Sequence, residues 1–242
     1  EKTLHYDPAT YFIMSVDLPA VGAVHPASTG EPYLAVSLTL DPSILAALLC
    51  DTTDAATGRG EPSTQTEAFD VAAVTPELMD AWVRMLRLME RPGEISALAP
   101  AYEREILYRV LQGPHGCMLR QLATPDSALA RISSAIQRIR SDYAKPLRIA
   151  ALAEQVAMSE SAFHRHFKSA TALSPLQYQK QLRLLQARQL LTAHGKSVTA
   201  TALDVGYESP TQFSREYARA FGLPPSQDAA RIMASVRGYA LG

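Results

Sequence analysis

The spacing of apolar positions changes character along this chain of 242 residues. Over the first 75 residues the apolar runs are β-rich, Tyr11 to Val16 and Tyr33 to Leu40, punctuated by Pro8, Pro19, Pro26 and Pro32. They read as strands and loops. Pro42 opens an apolar stretch to Leu49 that predicts one or two helical turns, and residues 51–66, rich in Thr, Gly, Asp and Ser, read as an exposed loop. At Thr75 a helical period begins. Thr75-Pro76-Glu77 supplies a hydroxyl cap, a proline at the first helical position and an acid at the positive end of the dipole. Leu78, Trp82, Met85, Leu86 and Met89 then fall on one stripe until Pro92-Gly93 stops it. Pro100 is expected to start a second helix, with Tyr102, Ile106, Leu107, Val110 and Leu111 inward and Gly113-Pro114 at its end. A short turn between them makes the two an antiparallel pair. From Ser127 onward every pattern is helical, beginning with Leu129, Ile132, Ile136, Ile139 and Tyr143 and breaking at Lys145-Pro146.

The helical half repeats itself. Displaced by 50 residues, Ser159, Phe163, Arg165 and Phe167 fall on Ser209, Phe213, Arg215 and Tyr217, while Ala170, Leu173 and Pro175 fall on Ala220, Leu223 and Pro225. A repeat of this length is a duplicated supersecondary unit. Each copy has the form of a helix-turn-helix. In the first, Ile149 to Ala157 is a short Ala-rich helix, Met158-Ser159 the turn, and Ser159 or Ser161 the cap of a second helix running to about Thr171. In the second, Val198 to Val205 is the first helix, Gly206-Tyr207 the turn, and Ser209 to Phe221 the second helix.

Phe163 and Phe167 are i, i+4 neighbours and point inward. At 100° per residue Ser161, His164, Arg165 and Lys168 then share the opposite face. With Phe213 and Tyr217 inward, Thr211, Ser214 and Arg215 face outward in the second copy. Arg makes bidentate contacts to guanine, and Ser and Thr bond to bases or phosphates. Between the copies Pro175 to Ala193 is one continuous helix with Leu176, Leu182, Leu185 and Leu190 inward. At a rise of about 1.5 Å per residue it spans roughly 28 Å, close to the roughly 34 Å between successive major-groove faces. Its Lys180, Arg183 and Arg188 either face phosphates or are simply solvated.

The charge distribution supports this reading. The formal net charge of −1 hides a front half, residues 1–125, at −8 and a back half, residues 126–242, at +7. An electropositive module is joined to an acidic one. The composition, 47% hydrophobic and 19% charged, is globular, and the longest apolar run, Ile44 to Cys50, is too short to span a bilayer. Cys50 and Cys117 form neither a metal-ligand spacing nor a disulfide framework and are read as reduced thiols of a cytosolic protein, idle or redox-sensing.

Together these residues resemble a known family. Ala153, Met158-Ser-x-Ser-x-Phe-x-Arg-x-Phe-Lys168, Ser174-Pro-x-x-Tyr178, Val205-Gly-Tyr-Glu-Ser-Pro-x-x-Phe-Ser-Arg215 and Phe221-Gly-x-x-Pro225 match the DNA-binding domain of AraC/XylS-type transcription regulators over 129–234. By that resemblance the base-contacting positions are Ser161, His164 and Arg165 in the first unit, beside Lys168, and Pro210, Thr211, Ser214 and Arg215 in the second. Pro210 offers no side-chain hydrogen bond, so direct readout by the second unit is expected to be the weaker. The front, Tyr6-Asp-Pro-Ala-x-Tyr11 through Ser15-Val-Asp-Leu-Pro19 and Pro32-Tyr-Leu-Ala-Val36, resembles the later strands of the family's cupin-like effector barrel, and earlier strands are expected before Glu1.

The expected class is α+β. A partial cupin-like β domain (1–74) and a helical dimerisation pair (75–125) precede an all-α domain (126–236) of two helix-turn-helix units joined by a long helix. The expected function is sequence-specific regulation of transcription, activating or repressing according to operator position, without enzymatic activity, cofactor or metal. Expected partners are double-stranded DNA, a second copy of the chain, RNA polymerase and a small-molecule effector; no membrane is expected. Two alternatives stand beside it. A metal-dependent cupin enzyme would need closely spaced histidines, whereas the front half offers only His5 and His25. A sequence-tolerant architectural DNA binder would lack a large specific-to-nonspecific ratio.

Overall fold

A computed structural model describes residues 7–19, 33–52, 69–194 and 196–239. His5, Tyr6, His25, Pro26, Pro32 and most of the 51–66 loop lie outside the described residues. The chain divides into two compact units, one built on residues up to Ser133 and the other on Ser134–Lys168 and Ala172–Gly242.

In the first unit, strand β1 (Thr10–Met14) pairs antiparallel with β2 (Phe69–Ala73), Thr10 opposite Ala73 and Met14 opposite Phe69. Asp7 starts β1: its carboxylate accepts from Ala9 N at 3.0 Å, and its carbonyl from Thr10 N at 3.0 Å. Helix α1 (Pro42–Thr52) is opened by Asp41, whose carboxylate accepts from Ser43 N at 2.8 Å. Helix α2 (Pro76–Arg87) is capped by the Thr75 hydroxyl, which accepts from Leu78 N at 3.2 Å, with Pro76 at the first position as expected. Helix α3 (Ile95–Gln112) packs on α2, where Arg84 bridges to Glu105 at 2.7 Å and lies over the Tyr102 ring. Leu45, Leu107, Leu111 and Leu119 are fully buried where α1, α3 and α4 (Gly116–Ala123) meet.

Several expectations need correcting. Tyr33–Leu40 forms no strand among the described residues, and Tyr33, Leu34 and Val36 are exposed; β-prone composition makes a strand only where a partner takes its backbone groups. Helix α1 has 11 residues and exceeds two turns. Helix α3 begins before Pro100, which sits inside it. The bond lost there leaves the carbonyl of exposed Ser96 to water, a tolerable position for a helical proline. Met89 is 69% exposed while Leu88 is buried, because α2 ends at Arg87 and tighter turns, Leu88–Glu90 and Pro92–Glu94, break the 100° period. Helix α4 carried no expectation.

Helix α5 (Ala128–Ser141) buries Leu129, Ile132, Ile136 and Ile139 as expected and Ala135 besides, while Tyr143, expected on the same stripe, lies in the turn past the helix end and is half-buried. Then follow α6 (Ile149–Gln155), α7 (Glu160–Thr171), α8 (Pro175–His194), α9 (Val198–Asp204), α10 (Pro210–Phe221) and α11 (Pro225–Tyr239). Helix α8 is entered through a reciprocal cap. Ser174 Oγ accepts from Gln177 N at 3.3 Å, and Gln177 Oε1 accepts from Ser174 N at 3.0 Å.

Candidate nucleic-acid interface

The helix pairs α6–α7 and α9–α10 are built by the same local rules. Each first helix ends in a residue at positive φ, Ala157 (51°) or Gly206 (86°), which turns the chain sharply. The next amide then reaches back five residues: Met158 N to Ala153 O and Tyr207 N to Ala202 O, both at 2.9 Å. Ala153 and Ala202 are buried, small enough for the second helix to cross closely. Ser159 and Ser209 cap the second helices, each hydroxyl accepting from the third amide onward at 3.3 Å. Ser159 therefore caps α7, and Ser161 is left on its surface. The repeat is 49 residues through the first helix and turn and 50 through the second helix, because Glu208 is an extra residue before the second cap.

Phe163, Phe167, Phe213 and Tyr217 are fully buried. Phe167 meets Tyr178 of α8 edge to face at 5.5 Å, and Phe213 and Tyr217 pack with Leu184, Ala187 and Leu191 of α8. With both inward faces fixed, the outward ones follow. Ser161, His164, Arg165 and Lys168 are exposed on α7. Thr211 and Arg215 are exposed on α10, whereas Pro210 and Ser214 are half-buried. Ser214 donates its hydroxyl to Pro210 O at 2.9 Å, so it faces out but is already partnered. The side chains of Arg165, Lys168, Arg215 and Arg219 make no ion pair among the described residues.

The connector departs from expectation. Leu176 is 58% exposed, two residues and therefore about 200° from the buried Tyr178 that sets the inward face. Leu182 is buried as expected, while Leu185 and Leu190 are half-buried. Each of its three basic residues has a partner within the protein. Lys180 pairs with Glu216 at 3.1 Å, Arg183 donates to four backbone carbonyls, and Arg188 pairs with Asp228 at 2.8 Å.

Two polar clusters went unread in the sequence. Asp228 is 0% exposed and accepts from Arg188, Arg231 at 2.8 Å and the Tyr217 hydroxyl at 3.0 Å. Burial pushes its carboxyl pKa up, but the bonds from Arg188, Arg231 and Tyr217 outweigh that and hold it below the usual range. Glu216 accepts from Tyr207 at 2.9 Å and Gln212 at 3.3 Å besides Lys180, and it too is held low against its burial. The Tyr207 and Tyr217 hydroxyls are pushed above their ordinary pKa, first by burial and then by these carboxylates. The i, i+4 spacing of Gln212 and Glu216 and the i, i+3 spacing of Asp228 and Arg231 are the available signals; the Tyr217–Asp228 and Arg188–Asp228 contacts have none.

Cys50 is exposed, Cys117 half-buried, and neither is in a disulfide. Among the described residues no three His, Cys, Asp or Glu side chains converge as a metal site, and no helix is long and apolar enough to cross a membrane. His166 is half-buried on α7.

Comparison with known proteins follows this division of the chain. Residues 1–118 match the model of the AraC-type transcriptional regulator N-terminus, and residues 152–231 match that of a helix-turn-helix domain. The HTH-type transcriptional activator RhaS of Salmonella schwarzengrund is 30% identical over 145 residues, 59% of this chain. The chain spans about half (51%) of that relative's length. Among solved structures, ToxT from Vibrio cholerae covers 79% of this chain and 68% of its own, with TM-score 0.51 and 12% identity, a likeness of fold alone. An AraC-type transcriptional regulator from Chromobacterium violaceum is 29% identical over 42% of this chain and 91% of its own, with TM-score 0.41.

Proposed function

The chain belongs to the AraC/XylS family of transcription regulators, and from that premise we propose that it binds double-stranded DNA sequence-specifically, laying α7 and α10 into successive major grooves on one side of the duplex. The observation that carries this is the pair of capped helices on one connector, each buried by two aromatics and each exposing an arginine at the equivalent position, Arg165 and Arg215. Ser161, His164 and Arg165 read bases through the first helix, and Lys168 meets phosphate. Thr211 and Arg215 make the polar contacts of the second, with Pro210 and Ser214 shaping its surface. Helix α8, 20 residues and therefore about 30 Å long, matches the groove repeat.

In the same reading the front module, residues 1–74, senses a small-molecule effector in the cytoplasm, and residues 75–125 pair two copies, not through Ile106, which is buried in the chain's own core, but through the apolar side chains that α2, α3 and the turns between them leave exposed. The exposed Met79, Met89, Ile95 and Leu98 support that pairing, which sedimentation at micromolar concentration tests. Contact with RNA polymerase follows from the family. An architectural binder or a cupin enzyme has no observation in its favour here.

The test is a titration of the chain against a duplex that it selects from a random pool and against a scrambled duplex, at several salt concentrations. Affinity for both falls steeply with salt as phosphate contacts release counterions, and the selected duplex stays the tighter by about 10³ or more. Salt-independent binding, or equal affinity for the two duplexes, rejects the proposal.

A further inference from the structure

We propose that Arg183 is a positioning residue that fixes the two reading helices at one mutual geometry, and so sets which spacing between DNA half-sites the chain accepts; this rests on the DNA-binding reading above. Backbone carbonyls outside helices and sheets need partners from elsewhere. In the turn after α5 three of them, Tyr143, Ala144 and Lys145, converge on the middle of α8. Arg183 Nε donates to Tyr143 O at 2.7 Å, and its Nη2 donates to Ala144 O at 3.1 Å and Lys145 O at 3.0 Å. Gln179 Nε2, one turn earlier, donates to Tyr143 O at 2.9 Å and Lys145 O at 2.7 Å. The remaining arm of the guanidinium, Nη1, reaches Gly206 O at 2.8 Å, in the turn of the second helix-turn-helix. One side chain thus ties the lead-in to the first reading unit, the connector and the turn of the second.

The contact is close as well as polar. A Cβ on Gly206 would collide with Ala144 O, so the second turn sits directly on the turn that follows α5, and Tyr143 packs against the second unit's core. The first reading helix is otherwise seated on α8 through the apolar contact of Phe167 on Tyr178, while the second is held by Phe213 and Tyr217 on Leu184–Ala187–Leu191 and by the Lys180–Glu216 and Arg188–Asp228 pairs, none of which reaches the first unit. Apolar burial is non-directional and tolerates small rotations, whereas a rigid planar fork holding four carbonyls does not. Lysine, a point charge on a flexible stem, keeps the charge but cannot reproduce the fork.

The experiment places spin labels at Ser161→Cys and Thr211→Cys in the full chain carrying Cys50→Ser and Cys117→Ser, and reads the distance distribution without DNA. The parent gives one narrow distribution, and Arg183→Lys and Arg183→Gln broaden it. In the chain without cysteine substitutions or labels, and with duplexes that it selects from a random pool, inserting one or two base pairs between half-sites costs affinity, and costs Arg183→Lys and Arg183→Gln of that same chain less. Distributions equally narrow in parent and variants overturn the proposal. The unsubstituted chain supplies a check independent of variant folding: its Arg183 Nε–H and Nη–H protons exchange slowly with water and give separate resonances, and fast, averaged signals overturn it equally. A narrow parent distribution in a chain that prefers no duplex would reject the DNA-binding reading while leaving the clamp in place, so the two failures are distinguishable.

Discussion

The two helix-turn-helix units put the same scaffold to different uses. In the first, the helix seat is apolar: Phe167 against Tyr178, edge to face. At the equivalent positions 50 residues on stand Tyr217 and Asp228, and the seat is a hydroxyl donating to a buried carboxylate that also binds Arg188 and Arg231. The outward faces diverge in the opposite sense. Arg165 and Lys168 make no ion pair among the described residues, and Ser161, within 3.3 Å of the Ser159 hydroxyl, and His164 are exposed; in the second unit Arg215 makes no ion pair either and Thr211 is exposed, but Ser214 is bonded to Pro210 O and Gln212 to Glu216. The backbone differs too, with Ala157 and Ala172 at positive φ where the second unit has Gly206 and Gly222. Duplication preserved the buried aromatics and caps that make the fold, and left the rest free to specialise. The second unit spends more of its polar groups on internal bonds, with Gln212 and Lys180 on Glu216 and Ser214 on Pro210 O.

The largest difference is expected at the buried carboxylate. Asp228→Asn strands Arg188 and is expected to cost about 3–5 kcal/mol in denaturant unfolding. Tyr178→Phe, the equivalent position of the first unit, removes one hydroxyl and strands no charge, and is expected to cost less. The pH dependence separates the units as well. Because the folded-state pKa of Asp228 is lowered, the unfolded chain binds more protons as pH falls, so its stabilisation is fully present above about pH 4 and is lost as pH drops through the lowered value. Asp228→Asn therefore flattens the acid limb of the stability profile; an unchanged limb would show that this carboxylate is not what distinguishes the second unit.

Next in size is recognition. Arg165→Ala is expected to cost about 1–3 kcal/mol of discrimination at one position of the selected site. Ser214→Ala is expected to leave the sequence preference nearly unchanged, since its hydroxyl is already committed to backbone. Competition binding with single-base variants of the selected duplex checks both, and equal losses would erase the distinction between reader and anchor.

The smallest effect concerns the turns. Ala157→Gly and Ala172→Gly relieve a left-handed alanine and should each stabilise the chain by up to about 1 kcal/mol. Gly222→Ala, where an added Cβ meets nothing within 4 Å, should destabilise it by a similar amount through φ alone. Thermal unfolding of the three variants decides it.

The reading units were legible in the sequence because their determinants are local and periodic. Aromatics at i, i+4, a serine before each helix and a glycine in the second turn place α7 and α10 to within a residue, and the outward residues follow from the period. Contacts made between distant segments were not legible. Nothing local marks Asp228 as buried or Arg183 as facing carbonyls 38–40 positions earlier, so both arginines of the connector were read as surface charges. Tyr33–Leu40 failed for the same reason, since a strand is specified by its partner as much as by its own residues. The capped start of α2 and the apolar stripe of α3 are readable in the sequence, but Pro100 reads there as a beginning, because a helix that tolerates an interior proline looks the same.

The most direct measurement is selection of bound duplexes from a random-sequence pool by the full chain, followed by sequencing. The account predicts an enriched site with two contacted segments about one helical turn apart on one face of the duplex, its base preference concentrated in the segment that loses definition when Arg165 becomes alanine. A pool that emerges unenriched, or a site that Arg165→Ala and Phe163→Ser leave unaltered, would contradict it.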